Sequence, residues 1–443
     1  MNQSVPAGLS QSVFAARRAR LLQQMGDDAI AIIATSKVAV RNRDADYRFR
    51  ADSSFYYLTG FAEPEAVAVL QSASDSPYTL FCRERNRARE IWDGLRAGTA
   101  GAVATYQADQ ALVIEELDKH IIGMLSGKKR VYVRLGQDAE FDARFSEWLR
   151  RVIAQQRQGG QVPLEVVQLD QLLDEMRLIK DEHEVALMRK ASEISAGAHV
   201  RAMQHVRASM MEYALEAELL YVFAQNGCQT AYNSIVGGGE NACILHYVEN
   251  NKALKDGDLV LIDAGAELDH YAADITRTFP VNGKFSPEQK ALYELVLKAQ
   301  LAAIDATKVG MHYKYPHEVA VNILTEGLVS LGLLQGSVDE LIASEAYRRF
   351  YMHGTGHWLG MDVHDVGNYK IDGEWRAYQP GMVVTVEPGL YVAPDDDTVE
   401  ARWRGIGIRI EDDVLLTADG NDILTKDVPK TVADIEALMQ AAR

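Results

Sequence analysis

The sequence predicts a two-domain protein whose first domain is of the α/β class, with helices packed on a mixed sheet. Three observations support this prediction. The chain has 443 residues, which exceeds the size at which one hydrophobic core usually keeps growing. Short apolar runs alternate with amphipathic stretches in the N-terminal part, whereas strand-like segments that end in carboxylates occur in the C-terminal part. We therefore predict domains at residues 1–175 and 176–443.

The elements of the first domain follow from hydrophobic periodicity. Short apolar runs bounded by polar residues predict strands at 29–34, 66–70, 78–82, 131–133 and 164–169. Near-helical spacing of apolar residues predicts helices at 14–25, 112–125 and 141–153. No cluster of catalytic residue types occurs in this part of the sequence.

The second domain is predicted to open with a long helix. Asp181 and Glu184 form an Asp-x-x-Glu pattern that can cap a helix running to about residue 206. Ala191, Ser195 and Ala198 fall on one stripe of that helix. Such small side chains predict close packing on a sheet.

A hairpin is predicted next, from a buried strand at 259–264 and a partner at 271–279. A turn centred between residues 268 and 269 would place Asp263 directly opposite Asp274. Two ionised carboxylates held about 5 Å apart repel each other, and a cation between them would remove the repulsion. The alternative is that both aspartates flank a solvent-exposed turn, but their isoleucine neighbours favour burial.

Three histidines, His353, His357 and His364, lie within twelve positions of one another. Gly354 and Gly356 make a continuous helix improbable, so we expect a loop that brings the imidazoles to one cavity. Neutral imidazole is both a common metal ligand and a proton shuttle. The cluster therefore favours function over a purely structural role.

Two further strands carry carboxylates. Glu387 follows the apolar run 382–386, and Pro388 ends the ladder. In the alternating segment 405–412, Arg409 and Glu411 fall on one face. The alternative for this pair is a surface ion pair, which would contribute little stability.

Four carboxylates and one imidazole are thus presented from strands: Asp263, Asp274, His357, Glu387 and Glu411. Hard oxygen ligands dominate this set, which predicts a pair of divalent ions rather than one structural zinc. Mn²⁺ is the first choice, with Co²⁺, Zn²⁺ and Fe²⁺ as alternatives.

Composition excludes several other classes of protein. The formal charge of −17 argues against nucleic-acid binding, which needs clustered Lys and Arg. No apolar run reaches membrane-spanning length, and the first residues do not resemble a secretory signal. The three cysteines are too scattered for a disulfide framework. We expect a cytoplasmic protein without a membrane partner.

The sequence resembles the metallopeptidases of the pita-bread fold, the family of methionine aminopeptidase, prolidase and aminopeptidase P. The segments that carry the resemblance are 262–265, 274–278, 357–360, 386–389 and 409–412, which read IDAG, DITRT, HWLG, VEPG and RIED. The resemblance implies an α+β pita-bread catalytic domain of the creatinase and methionine aminopeptidase type.

Within that family the sequence looks most similar to the aminopeptidase P branch. Its hallmarks lie at 47–50, 55–61, 241–247 and 362–365, and the long first domain argues against methionine aminopeptidase. The resemblance implies an Xaa-Pro aminopeptidase, whose substrates are peptides with proline in the second position. It also implies that the nucleophile is a hydroxide bridging two divalent ions.

Residue roles are carried over position by position. Asp263 would hold one metal, Asp274 and Glu411 would bridge, and His357 with Glu387 would complete the other site. The resemblance further implies that His246 and His364 line the reacting carbonyl, that His353 and Arg409 border the proline pocket, and that Glu387 handles the proton of the nucleophile.

Trp92 is the one candidate in the first domain. The resemblance places it where the N-terminal domain of a neighbouring subunit can reach an active site. That domain would then restrict substrates and mediate oligomerisation, giving a homotetramer or dimer. The alternative is a core or domain-interface aromatic.

Three rival functions are compatible with these residues. Prolidase shares the metal ligands but takes only dipeptides. A relative that has lost catalysis could use the fold to bind peptide or protein, although all five ligands are intact. A creatinase-type enzyme works without metal and would not need this carboxylate set.

Overall fold

The computed structural model describes residues 8–443, with the side chain of Gln158 left out. The prediction for the extreme N-terminus, including the first seven residues of the 1–175 domain, lies outside the described residues. The chain divides into two compact units, one ending at Met176 and the other beginning at Arg177. No helix within residues 8–443 combines the length and apolar character needed to cross a membrane.

A mixed sheet of six strands forms the centre of the N-terminal unit as far as it is described. The strands of this unit are β1 (Ala29–Ala34), β2 (Val40–Asn42), β3 (Ala45–Asp46), β4 (Val67–Gln71), β5 (Tyr78–Cys82), β6 (Gln110–Val113), β7 (Arg130–Val133) and β8 (Glu165–Gln168). The order in the sheet is β6-β5-β4-β1-β7-β8. β1 pairs antiparallel with β4 and parallel with β7, so the predicted mixed α/β sheet is confirmed.

The helices of this unit are α1 (Gln11–Met25), α2 (Ser53–Thr59), α3 (Arg87–Asp93), α4 (Gly98–Ala104), α5 (Leu117–Leu125), α6 (Ala139–Ala154) and α7 (Asp170–Leu178), the last of which crosses the division. The predicted helix over 112–125 is wrong in its first part. Residues 110–113 instead pair with β5 as a parallel strand, and α5 begins at Leu117. Sheet pairing has overridden the local helical periodicity there.

The second unit combines helices with several small sheets. Its helices are α8 (Glu182–His205), α9 (Glu212–Gln225), α10 (Pro287–Ala306), α11 (Tyr315–Ser330), α12 (Val338–Ala343) and α13 (Val432–Ala441). Its strands are β9 (Gln229–Thr230), β10 (Ile235–Gly238), β11 (Leu259–Asp263), β12 (Ala266–Leu268), β13 (Tyr271–Ala272), β14 (Thr276–Pro280), β15 (Lys370–Ile371), β16 (Glu374–Trp375), β17 (Val383–Val386), β18 (Gly389–Tyr391), β19 (Gly407–Arg409), β20 (Asp412–Thr417) and β21 (Gly420–Ile423).

The long helix α8 begins as the sequence predicts. Asp181 accepts hydrogen bonds from the first turn, and Glu184 bonds back to the Asp181 amide to complete a capping box. The helix α8 packs on β12 and β13. Ser195 Oγ accepts a hydrogen bond from Ala266 N at 2.9 Å, which fixes the helix against the sheet.

The predicted register of the hairpin is wrong by two residues. β11 pairs with β14 so that Asp263 lies opposite Thr276, not Asp274. The turn is centred on Asp269 and His270, both of which adopt positive φ. Because side chains alternate with a period of two, a shift of two residues leaves both aspartates on the predicted face.

The strands are also interrupted where the carboxylates lie. The ladder breaks between β11 and β12 and again between β13 and β14, and a Cβ at Gly265 would lie only 1.7 Å from the Ala273 carbonyl oxygen. The predicted continuous strand over 405–412 is likewise broken, since β19 ends at Arg409 and β20 begins at Asp412. Glu411 therefore occupies a break, as Asp274 does.

Candidate metal centre

Nine of the ten candidate residues line one cavity of about 490 Å³ in the second unit. They are His246, Asp263, Asp274, His353, His357, His364, Glu387, Arg409 and Glu411. Trp92, the tenth, belongs to the N-terminal unit and does not line it. Residues from strand ends and from the histidine loop therefore converge on one site.

Asp263 lies at the end of β11 and has two polar partners. Its Oδ1 accepts a hydrogen bond from Tyr232 Oη at 2.6 Å, and its Oδ2 accepts one from Arg409 at 2.6 Å. The Tyr232 hydroxyl also makes a short contact with Asp274 Oδ1. A single phenol thus joins the two aspartates that the sequence pattern predicted to be neighbours.

Asp274, His357 and Glu411 form a tight group of ligand-type atoms. One ligand atom from each lies within 4.8 Å of the others, a spacing that suits a shared metal ion. His357 Nε2 is 3.5 Å from Asp274 Oδ2, while its Nδ1 lies 3.0 Å from the Trp358 carbonyl oxygen. The second contact fixes the ring and leaves Nε2 facing the carboxylates. Asp274 is 4% exposed, so the alternative of a solvent-exposed turn is wrong.

Glu387 follows β17 and approaches the group from the other side. Its backbone N–H donates to the Thr355 carbonyl oxygen at 2.7 Å, which ties it to the histidine loop. Its carboxylate oxygens lie 3.8 Å from His357 Nε2 and 3.8 Å from His353 Nδ1. Glu411 accepts a hydrogen bond from Thr276 Oγ1 at 2.6 Å.

Burial and mutual repulsion disfavour the charged forms of most of these carboxylates. Burial raises the pKa of Glu387 to about 7. Burial, followed by the nearby charge of Asp274, raises the pKa of Glu411 well above its usual range, and burial also raises that of Asp263. A site in which several carboxylates repel one another is one that divalent cations would stabilise. The donor set therefore fits a metal centre.

Asp274 and His357 shift in the opposite sense. Burial alone would raise the pKa of Asp274, but the hydrogen bond to His357 holds it below its usual range. Burial alone would lower the pKa of His357, but Asp274 and then Glu387 raise it to about 9. The imidazolium thus supplies positive charge where a metal would lie.

His246 and His364 line the same cavity but are not among the tight ligand group. The His364 ring centroid lies 4.0 Å from that of His357. Burial and the neighbouring His357 lower the pKa of His364, which favours a neutral imidazole with one N–H to donate.

His353 and Arg409 meet at Tyr391. His353 Nε2 is 2.9 Å from Tyr391 Oη, and Arg409 donates to the same oxygen at 3.0 Å. Burial, followed by the charge of Arg409, lowers the pKa of His353 to about 3. Arg409 is 4% exposed and pairs with Asp263, so the alternative of a surface ion pair with Glu411 is wrong.

Trp92 lies in α3 and is 84% exposed, with Ile91 and Leu95 also exposed beside it. The alternative that Trp92 is a core aromatic is therefore wrong. An exposed cluster of three large apolar side chains is a feature of interaction surfaces.

Three residues that contact the candidate site residues were not identified from the sequence. Tyr232 and Tyr391 lie outside the five motifs, and their hydroxyls gave no periodic signal. Asp413 belongs to the acidic pair 412–413 that directly follows Glu411, and the sequence did not distinguish it from a surface acid. Its Oδ2 accepts a hydrogen bond from Asp274 N at 3.1 Å. Burial of that pair within the apolar run of β20 is the one signal that could have indicated a role.

Comparison with known proteins identifies the family of this chain. Residues 186–418 match metallopeptidase family M24, and residues 14–132 match the aminopeptidase P N-terminal domain. The Xaa-Pro aminopeptidase of Escherichia coli (strain K12) is 45% identical over 438 residues, which covers 98% of this chain and 99% of the relative.

Solved structures give the same result. Aminopeptidase PepP of Pseudomonas aeruginosa superposes with a TM-score of 0.97 at 56% identity, over 98% of this chain and 99% of that one. Zinc-substituted E. coli aminopeptidase P in complex with product superposes with a TM-score of 0.96 at 45% identity, over 99% and 100% of the two chains. The predicted two-part fold, an α/β domain followed by a pita-bread domain, is thereby confirmed.

Proposed function

Because the chain belongs to metallopeptidase family M24, we propose that its cavity is the active site of an Xaa-Pro aminopeptidase. The enzyme would release the N-terminal residue from peptides that have proline in the second position. The observation that supports this most directly is the convergence of Asp274, His357 and Glu411 within 4.8 Å, in a cavity shared with His353 and Arg409.

Two divalent ions would be held by the five candidate ligands Asp263, Asp274, His357, Glu387 and Glu411. Mn²⁺ is our first choice, and Co²⁺, Zn²⁺ and Fe²⁺ are alternatives that the same donors accept. When bound, such a pair lowers the pKa of water towards neutrality and polarises a carbonyl. No Ser or Cys nucleophile is then needed.

Side chains of the cavity would carry out proton transfer and stabilise the charge that develops on the substrate. Glu387 would take the proton of the attacking water at a carboxylate oxygen and pass it to the leaving nitrogen. His246 and His364 would donate hydrogen bonds to the oxygen of the scissile carbonyl as it gains charge. The loop and strand ends that carry these groups hold them in place before the substrate arrives.

Substrate preference follows from charge and shape. A carboxylate-rich cavity favours the protonated amino terminus of a peptide. A prolyl amide has no N–H, so a site that aligns its substrate through the carbonyl and the free amine does not lose a contact. His353 and Arg409, fixed at Tyr391, would border the prolyl ring.

One assay separates the main candidates. Mn²⁺-reconstituted protein is incubated with an Xaa-Pro-Yaa tripeptide, an Xaa-Pro dipeptide and Met-Ala-Ser. Release of Xaa from the tripeptide, with Met-Ala-Ser untouched, supports the proposal. Cleavage of the dipeptide alone indicates prolidase, and inactivity on all three with every divalent ion indicates a non-catalytic relative.

The metal assignment is tested by Asp274→Ala and Glu411→Ala. Each should abolish turnover and reduce the divalent metal per protein in elemental analysis. Unchanged metal content would refute the assignment. Asp397→Asn, which alters an exposed carboxylate on the same unit, is the matched control and should change neither quantity.

We also propose that the N-terminal unit restricts access to substrate and mediates a homotetramer or dimer. The exposure of Trp92, Ile91 and Leu95 supports this. Trp92→Ala should then change the molar mass in light scattering or raise KM for longer peptides. A cytoplasmic location remains our proposal, which the three unpaired cysteines support.

A further inference from the structure

A second cavity, of about 280 Å³, borders the same histidine loop. It shares His353, Gly354 and Gly356 with the cavity of the candidate metal ligands. We call it the aromatic cavity, because five of its lining residues are tyrosine or tryptophan: Tyr313, Tyr347, Tyr351, Trp375 and Tyr378. Of its lining side chains, the mechanism proposed above uses only that of His353.

The charged side chains that line the aromatic cavity are of one sign. Lys314 and Arg348 line it, and no Asp or Glu does among the described lining residues, although the chain carries a net charge of −17. Both cations form only long ion pairs within the chain. Lys314 lies 3.6 Å from Glu318, and Arg348 lies 3.6 Å from Glu345. Because both cations are about half exposed, these pairs contribute little free energy. Either side chain can therefore reorient towards an anionic ligand with little loss of free energy.

Polar groups that line the aromatic cavity contact residues 355 and 356, which directly precede the candidate ligand His357. Tyr313 donates a short hydrogen bond to the Gly356 carbonyl oxygen. His317 Nδ1 lies 2.8 Å from Thr355 Oγ1, and Tyr351 Oη lies 2.5 Å from the same atom. The Thr355 carbonyl oxygen in turn accepts the Glu387 amide.

We propose that the aromatic cavity binds a small aromatic carboxylate, and that its occupancy lowers the turnover of the neighbouring active site. Flat aromatic walls favour a ring, and Lys314 with Arg348 favours its carboxylate. A ligand that bonds to His317 would draw it from Thr355. The segment 353–357, which positions His357 and Glu387, would then be less well fixed.

Calorimetric titration of the metal-loaded protein with indole-3-acetate tests binding. We expect a single site, about tenfold weaker binding after Arg348→Gln, and no binding of the cationic analogue tryptamine. Arg402→Gln is the matched control, since Arg402 is also about half exposed and paired with a neighbouring glutamate but does not line the cavity. Absence of binding, or equal weakening by both substitutions, would overturn the proposal.

The kinetic part of the test uses an Xaa-Pro-Yaa tripeptide. Saturating indole-3-acetate should lower kcat and leave KM unchanged, and Arg348→Gln should shift this inhibition to higher concentration. Competition with the tripeptide, or binding without any effect on kcat, would contradict the inference. If the tripeptide is not cleaved at all, the proposed function fails, whereas the calorimetric result still decides whether the site exists.

Discussion

Tyr232 contacts both aspartates at the candidate metal centre, and its hydroxyl has one hydrogen to donate between them. Burial and the two carboxylates raise the pKa of this phenol well above its usual range, so it stays protonated. It therefore acts as a donor that orients Asp263 and Asp274, not as an anionic ligand.

Tyr232→Phe should accordingly weaken metal binding. We expect the affinity for Mn²⁺ to fall by about 10- to 100-fold, as is typical when a group that orients metal ligands is lost. Competition with a chelator of known affinity measures the change. Tyr221→Phe, at an exposed position on α9, should leave the affinity unchanged, and equal affinities in all three proteins would contradict the orienting role.

His364→Ala separates a role at the carbonyl from a role in metal binding. Because His364 lines the cavity outside the tight ligand group, the variant should keep its metal. It should lose about 10²- to 10³-fold in kcat, the usual effect of removing one donor to a developing oxyanion. Elemental analysis checks the metal content, and steady-state kinetics with one substrate checks kcat. Full activity would contradict the assignment.

Residues at this site differ in how far the sequence could predict them. The carboxylates of apolar strand segments and the histidines of one glycine-containing loop stood out, and these residues are among the nine candidates that line one cavity. Tyr232, Tyr391 and Asp413 did not stand out, because tyrosine is common in cores and an acidic pair is common on surfaces. Their roles depend on contacts over long distances in sequence.

At the scale of elements, the strands were easier to predict than their breaks. The apolar runs of β1, β5 and β11 were placed correctly or within one residue. The hairpin register was wrong because two residues with positive φ, Asp269 and His270, moved the turn, and neither is a glycine that would have marked it. Breaks at Gly265 and Glu411 depend on close approaches between strands, which periodicity does not report.

The break at Gly265 gives a test at this scale. Gly265→Ala would place a Cβ 1.7 Å from a backbone oxygen, so the strands must move apart where Asp263 and Asp274 lie. We expect the free energy of unfolding to fall by about 2 kcal/mol and Mn²⁺ affinity to fall with it. Urea unfolding followed by circular dichroism measures the first quantity.

Gly197→Ala is the matched control for that variant. Gly197 lies within α8 and a Cβ there meets nothing within 4 Å. The same change should therefore raise the free energy of unfolding by about 0.5–1 kcal/mol, because alanine is the better helix former. A loss of stability in both variants would indicate that steric contact at Gly265 is not the cause.

At the scale of the whole molecule, buried charge connects segments that are far apart in sequence. The side chain of Asp365, next to His364, is 1% exposed and lies 2.6 Å from Arg177 and 2.8 Å from Lys180, at the start of the second unit. Removing one partner of such a buried cluster leaves the others uncompensated. The histidine loop is thereby tied to the segment that enters this unit.

Asp365→Asn should therefore destabilise the protein by about 3 kcal/mol, since it leaves two buried cations with less opposing charge. Urea unfolding at neutral pH is the measurement. Asp422→Asn is the control: Asp422 is paired with Arg189 at 2.7 Å but about a third exposed, and its loss should cost about 1 kcal/mol or less. Equal losses in the two variants would argue that burial of the Asp365 cluster is not decisive.

The stability of the whole fold should also fall in mild acid because of His199, a fully buried residue of α8. Its Nε2 lies 2.9 Å from the Ala264 carbonyl oxygen and must donate, while Nδ1 has no partner among the described residues. Burial lowers the pKa of His199 to about 4, below the value of about 6.5 in an unfolded chain. Between these values the unfolded state binds a proton that the folded state does not, so stability decreases as pH falls from about 6.5 to 4, by up to about 3 kcal/mol.

The variant His199→Gln tests this explanation, because glutamine keeps a donor for the Ala264 carbonyl oxygen but does not titrate. It should remove this part of the pH dependence in urea unfolding with EDTA present. His205→Gln, on the exposed end of the same helix, is the control and should retain it. Identical pH profiles for wild type and His199→Gln would show that His199 does not cause the loss of stability in mild acid.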